Sequence, residues 1–179
     1  KYMTAMGEVW GRMAMRLANA EHYPHDFGLY AKRVGGFIDG LAAQEAVGDR
    51  LDFTEVRAAQ ARWAAAADSL ESGLAAAMAA PAGAERTARL KEANEAMRMV
   101  EQSLLADGGI PGRPWFKHVL YAPKYTYAAM ELPGVREAVD QGDWATAARE
   151  MGRLTERISA VAEAAMMLVS LPIVDHVRA

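Results

Sequence analysis

Histidine, carboxylate and hydroxyl side chains could bind a metal or carry out catalysis, and their spacing indicates whether they do. The four histidines are His22, His25, His118 and His176. His22 and His25 flank Pro24 without another ligand at a known metal-binding spacing, and no HExxH sequence occurs. Because cysteine and the GxSxG sequence are also absent, a nucleophile has no recognisable setting. The chain alone is therefore predicted to hold no catalytic group and no metal.

The stretch from residue 108 to residue 134 organises the rest of the chain. Its four prolines remove backbone donors and fix φ, so no continuous helix can cross it. Aromatic side chains nevertheless crowd into it, and that much ring surface must pack on something: Trp115, Phe116, Tyr121, Tyr125 and Tyr127. We therefore predict an ordered, non-helical loop. Trp115 and Phe116 are expected to fix its first half to the helices, and His118 is expected to be a hydrogen-bonded structural residue.

This stretch also carries a family resemblance. Residues 113–123 read RPWFKHVLYAP, and Tyr127 and the triplet LPG at 132–134 follow. The pattern resembles the C-terminal domain of glutamate carboxypeptidase-type zinc peptidases, which transferrin receptors share as the transferrin receptor-like dimerisation domain. Further similarity lies near both ends of the chain: RMA at 12–14, LANA at 17–20, Pro24, Asp26, and Trp144 with the helix after it.

The resemblance implies a role for the tip of the loop. In the family, a lysine followed by a tyrosine reaches into the partner domain's cleft and holds the C-terminal carboxylate of the substrate. An ammonium and a phenol can donate to a carboxylate without reacting. Counted back from LPG, Tyr127 matches the tyrosine and Thr126 stands at the lysine position; the alternative pair is Lys124 with Tyr125. The implied substrate-binding residues are these four, and a purely structural role for the tyrosines stays open.

Composition limits the class of protein. The 179 residues suffice for one domain with a core. A net charge of −3 gives no basic excess to bind nucleic acid. The longest apolar run, residues 164–174, is interrupted by Ser170 and Pro172 and is too short to span a membrane. Because the chain begins at Lys1, we expect it to be part of a longer protein that is exported, periplasmic or membrane-anchored through an upstream segment.

Hydrophobic periodicity predicts an all-α fold without β-strands. In the first helix, Val9, Met13 and Leu17 give one apolar face, with Thr4 as its cap. Asp26 and Asp143 are expected to cap later helices. The predicted helices span residues 1–23, 27–46, 53–80, 84–105, 134–141 and 144–171. Four long helices are expected to form an antiparallel bundle, with the non-helical loop before the last two.

The resemblance implies a single helical dimerisation domain over residues 1–179, forming the C-terminal part of a zinc exopeptidase. It would form a homodimer, contact the peptidase domain of its parent chain and line the cleft for a peptide substrate. No cofactor is expected in this chain, because the zinc ligands belong to the peptidase domain. The alternatives are a non-enzymatic assembly or receptor module, or a free-standing bundle that binds a small apolar ligand in its methionine-rich core.

Overall fold

The computed structural model describes residues 1–124 and 128–169, apart from the side chains of Ala96, Leu168 and Val169. Helices predominate, as predicted. The elements of this described part are α1 (Tyr2–Ala18), α2 (Phe27–Ala42), a 3-10 turn (Gly48–Arg50), α3 (Thr54–Ala79), α4 (Ala84–Gln102), β1 (Tyr121–Pro123), β2 (Ala129–Glu131), α5 (Pro133–Asp140) and α6 (Trp144–Val169). Within the described part, none of these helices is both long and apolar enough to cross a bilayer.

Side-chain caps set where two of the helices begin. Asp26 accepts a hydrogen bond at Oδ1 from the Leu29 backbone N–H, 2.6 Å away, and so caps α2 as predicted. Asp143 accepts from both the backbone N–H and the hydroxyl of Thr146, at 3.0 and 2.7 Å, at the start of α6. The start of α3 differs from these two, because Phe53 occupies the N-cap position and has no capping side chain. Asp52, the residue before it, accepts a hydrogen bond from the Thr54 N–H.

The core centres on α3 and α6, whose mutual contact is the most extensive between any two elements of the described chain. Trp63 of α3 and Ile158 of α6 are fully buried there, on the faces that periodicity predicted. The helix α2 also packs against α3. At Gly35 a Cβ would lie 3.1 Å from Nε2 of Gln60, so α2 approaches α3 closely there.

The first helix differs from the prediction. It ends at Ala18, before Pro24, and Lys1 rather than Thr4 stands at its N-cap. Its predicted apolar face exists, but no residue of α1 is buried. None of the extensive contacts between elements of the described chain involves α1. The predicted bundle of four antiparallel helices is therefore not confirmed, although the mostly helical fold is.

Backbone hydrogen bonds order the non-helical stretch. The Ala106 N–H donates to the Lys117 carbonyl at 2.8 Å, and the Val119 N–H donates to the Leu104 carbonyl at 3.0 Å. Beyond them β1 and β2 pair antiparallel, with Ala122 opposite Met130. The prediction that the chain has no strand was wrong, because strands of three residues are too short to show alternation.

Burial within this stretch also differs from the prediction. Trp115 is 69% exposed, and the ring next to it is that of Phe116, 6.0 Å away. Val119 and Leu120 are buried instead, and they attach the stretch to the core. The expectation that Trp115 fixes the loop was wrong, since sequence indicates that aromatic surface must pack but not which ring does so.

Candidate functional site

The non-helical stretch contains an antiparallel β-hairpin formed by β1 and β2, of which the structure describes residues 121–124 and 128–131. Ala122 and Met130 point inward and are buried, and the Leu132 N–H donates to the Leu120 carbonyl at 2.9 Å at its base. At the other end the Lys124 N–H donates to the Ala128 carbonyl at 2.8 Å. Lys124 is exposed and directly follows β1.

The remaining predicted substrate-binding residues, Tyr125, Thr126 and Tyr127, lie outside the described residues. Of the four positions that the resemblance implied, the structure thus places Lys124.

Arg113 fixes the hairpin to α5. Its Nη1 donates to the Pro123 carbonyl at 2.6 Å, and its Nη2 pairs with the carboxylate of Glu137. The guanidinium also stacks over Phe116, 4.9 Å from the ring centroid. Only 13% of the Arg113 side chain is exposed. Sequence reasoning missed this role, because the partners lie 10 and 24 residues away along the chain.

The LPG triplet turns the hairpin into α5. Leu132 is buried in the left-handed region, with φ 50° and ψ 50°, and Pro133 begins the helix. At Gly134, a Cβ would lie 2.7 Å from Oε2 of Glu150, so the close approach of α6 requires glycine there. The triplet is therefore explained by the local backbone and by packing.

Glu150 is a buried carboxylate beneath this turn. Arg153 lies 3.4 Å from its Oε2 and also donates to the Gly109 carbonyl at 2.7 Å. Its Oε1 has no hydrogen-bond partner within the described part of the chain. Burial raises the pKa of Glu150 above its ordinary value, and the charges of Arg153 and Arg149 oppose this only in part.

His118 joins the hairpin to α4. Its Nδ1 accepts from the Leu120 N–H at 3.2 Å, so the proton is on Nε2, which lies 3.1 Å from Oε1 of Glu101. The predicted role as a hydrogen-bonded structural histidine is confirmed. Burial, reinforced by the charge of Glu101, raises the pKa of both Tyr30 and Tyr121, so both phenols stay protonated.

Metal-ligating side chains do not cluster in the part of the chain that the structure describes. Across residues 1–124 and 128–169, no three His, Asp or Glu side chains lie close enough together to hold a metal ion. His22 instead contacts the Tyr23 carbonyl, with Nδ1 3.0 Å from that oxygen.

Comparison with known protein families matches residues 51–166, more than half of the chain, to the transferrin receptor-like dimerisation domain. This match covers α3, α4, the hairpin, α5 and most of α6.

Comparison with curated proteins gives relatives named as glutamate carboxypeptidases and one named as an inactive zinc metalloprotease. A probable glutamate carboxypeptidase of Arabidopsis thaliana is 30% identical over 138 residues, which cover 76% of this chain and 19% of that protein. One of Zea mays is 27% identical over 139 residues, covering 76% and 19%. An inactive zinc metalloprotease of Schizosaccharomyces pombe is 25% identical over 159 residues, covering 83% and 20%. The chain spans about a fifth of the length of these relatives.

Proposed function

The chain belongs to the transferrin receptor-like dimerisation domain family, and we propose that it is the non-catalytic C-terminal domain of a glutamate carboxypeptidase-like zinc exopeptidase. The observation that carries this proposal is the family match over residues 51–166 in a chain about a fifth as long as its carboxypeptidase-named relatives. Zinc and the residues that bind it belong to the peptidase domain of the parent. This chain supplies surfaces to that domain.

The surface for the peptidase domain is the apolar face of α1. Helical spacing places all the larger apolar residues of α1 except Met15 on one side: Tyr2, Met3, Met6, Val9, Trp10, Met13 and Leu17. All of them are exposed, including 67% of Trp10. A contiguous apolar surface of this kind is a mark of an interaction site. Each such side chain contributes roughly 1.5–3 kcal/mol if a partner buries it fully.

The surface for substrate is the tip of the hairpin. Backbone pairing and Arg113 hold the hairpin in place, while the Lys124 ammonium extends into solvent. A positively charged donor on a fixed backbone suits a substrate carboxylate. We assign that role to Lys124, with Tyr125, Thr126 and Tyr127 as the other candidate donors.

Self-association is the third function, and the family match supports it. A two-fold dimer uses the same patch on both copies. The alanine-rich helices allow close approach of two backbones, and exposed methionine and tryptophan are typical of such patches. We expect concentration-dependent sedimentation of the isolated chain, and sedimentation as a monomer at every concentration would contradict the dimer.

A second candidate is a non-enzymatic assembly or receptor module. The naming of the Schizosaccharomyces pombe relative as inactive favours it, because a parent can keep this domain without activity. The two candidates share the surfaces described above and differ in the zinc ligands of the parent.

Two assays test the proposal. The 179-residue chain with zinc should not cleave dipeptides that end in glutamate, whereas the full-length parent should cleave them in a chelator-sensitive manner. Chelator-sensitive turnover by the chain alone would contradict a non-catalytic role, and an inactive parent would favour the receptor-type module.

The α1 interface has a matched pair of variants in the full-length parent. Met13→Glu places a carboxylate on the apolar face of α1, and Met15→Glu places the same charge on the opposite face, where Met15 is also exposed. Limited proteolysis should release this domain faster from the Met13→Glu protein than from the Met15→Glu protein. Equal release rates would show that α1 does not contact the peptidase domain.

A further inference from the structure

An open groove of about 690 Å³ lies between α2, the last turns of α4 and the start of β1. This volume is in the range of small-molecule sites, roughly 300–1,000 Å³. Asn94 of α4 holds the rim of the groove, accepting from the Tyr23 N–H at 2.7 Å and donating to the Glu21 carbonyl at 3.0 Å. The groove is therefore formed by packed elements and needs no ligand to order it.

The walls of this aromatic groove are rich in rings. Tyr23 lies 5.8 Å from His25, and His25 lies 5.9 Å from Phe27, between ring centroids. Tyr30 and Tyr121 line it from α2 and β1. Tyr23 and Tyr121 keep 41% and 38% of their surface exposed. Ring faces and edges left open in this way favour a planar apolar group between them.

The two carboxylates that line the groove already have partners. Oε1 of Glu101 lies 3.1 Å from Nε2 of His118. Oδ1 of Asp26 accepts the capping hydrogen bond of α2. Each carboxylate thus already accepts a hydrogen bond from this chain.

The two guanidiniums that line the groove, those of Arg33 and Arg98, differ in whether they form an ion pair. Arg98 pairs with Glu95 at 2.8 Å on its own helix. Arg33, one turn after Tyr30, has no carboxylate partner among the described residues. Its charge acts on Tyr121, where it opposes the upward shift of the phenol pKa. The groove thus combines an apolar interior with an unpaired cation beside a protonated phenol.

We infer that the aromatic groove binds a small aromatic carboxylate, with its ring between the aromatic side chains and its carboxylate on Arg33. A planar guanidinium can donate two parallel hydrogen bonds to such a group. A ligand ammonium cannot form this bidentate pair and would lie near the guanidiniums of Arg33 and Arg98, which line the groove. This site involves only residues of this chain and does not depend on the proposed peptidase role.

The test is calorimetric titration of the 179-residue chain with 2-naphthoate, and with 2-naphthylmethylamine as the cationic counterpart. We expect saturable naphthoate binding in the micromolar to millimolar range and no saturable binding of the amine. Arg33→Met should weaken naphthoate binding about tenfold, the value of a charge-assisted hydrogen bond of about 1.4 kcal/mol. Tyr121→Phe keeps the ring and should retain most of the affinity.

Lys32→Met is the matched control, because it removes the same charge from the neighbouring residue of α2, which does not line the groove. It should change the affinity by less than about twofold. The inference is overturned if naphthoate does not saturate, if the amine binds equally well, or if Arg33→Met and Lys32→Met weaken binding equally. Circular dichroism melts confirm that each exposed-site variant is folded.

Discussion

The Arg113 guanidinium donates from Nη1 to the Pro123 carbonyl at 2.6 Å, and thereby fixes the residue that directly precedes Lys124. Pro123 is the last residue of β1 and has no N–H of its own to contribute to the ladder. Its carbonyl is held by Arg113, which Glu137 of α5 orients in turn. Arg113 thus links the end of β1 to α5.

Arg113→Met should destabilise the fold by about 2–4 kcal/mol, because it leaves the partly buried Glu137 carboxylate unpaired. Amide hydrogen exchange should also speed up at Lys124 and Leu132, at the two ends of the hairpin. Arg149→Met is the control, since Arg149 is exposed and its side chain contacts Thr146 at 2.9 Å. Unchanged exchange in Arg113→Met would show that Arg113 does not hold the hairpin.

Alanine substitutions at two glycines of the loop distinguish the stability cost of backbone strain from that of steric overlap. Gly109 has φ +61°, and a Cβ there would overlap the Pro114 carbonyl. Gly112 has φ +75°, and a Cβ there would have nothing within 4 Å. Gly112→Ala should cost about 1–2 kcal/mol from strain alone. Gly109→Ala should cost more than about 3 kcal/mol, because the overlap adds to the strain. Equal losses in denaturant unfolding would contradict the close approach at Gly109.

Leu120 and Trp115 test which residue attaches the loop to the core. Leu120 is fully buried and Trp115 is 69% exposed. Leu120→Ala should lower the free energy of unfolding by about 2–5 kcal/mol through a cavity. Trp115→Ala should change it by less than about 0.5 kcal/mol. Thermal melts of both variants check this, and a large loss in Trp115→Ala would restore the expectation drawn from sequence.

The raised pKa of Glu150 predicts that the free energy of unfolding depends on pH. Because its pKa is raised in the folded state, the folded protein binds the proton more tightly than the unfolded chain. This stabilisation is fully present below the ordinary carboxyl pKa and is lost as pH rises through the raised value. Glu150→Gln should therefore gain stability relative to wild type as pH increases from about 4 to 7.

Denaturant unfolding across this pH range measures the effect of Glu150→Gln. Glu156→Gln is the control, an exposed carboxylate on the same helix. A difference between wild type and Glu150→Gln that stays constant with pH would contradict the raised pKa.

Much of the fold could be predicted because local signals decide it. Asp26 and Asp143 correctly predict where α2 and α6 begin. The spacing of Val56, Trp63 and Leu70 correctly predicts the buried face of α3. Which element packs on the apolar face of a helix depends on tertiary structure and not on the local sequence. The periodicity of α1 predicts an apolar side, yet that side is exposed, and none of the extensive contacts between the described elements involves α1.

The candidate site could be predicted only in part. The motif from Arg113 to Gly134 predicted that the loop holds the candidate site. The position of Lys124 next to the tip of the loop follows from the pairing of β1 with β2. The contact of Arg113 with Pro123 and the fit of Gly134 against Glu150 depend on tertiary packing. The aromatic groove joins residues from α2, α4 and β1, which no sequence spacing brings together.

The most direct test of the proposed role is steady-state kinetics of the full-length parent carrying Lys124→Met. With a peptide that has a free C-terminal carboxylate, we predict a rise in KM of about tenfold or more, the loss of one charge-assisted hydrogen bond. The same substitution at Lys117, which is also exposed and lies outside the hairpin, should leave KM unchanged. If Lys124→Met and Lys117→Met have the same KM as wild type, Lys124 does not bind the substrate carboxylate and the hairpin is structural.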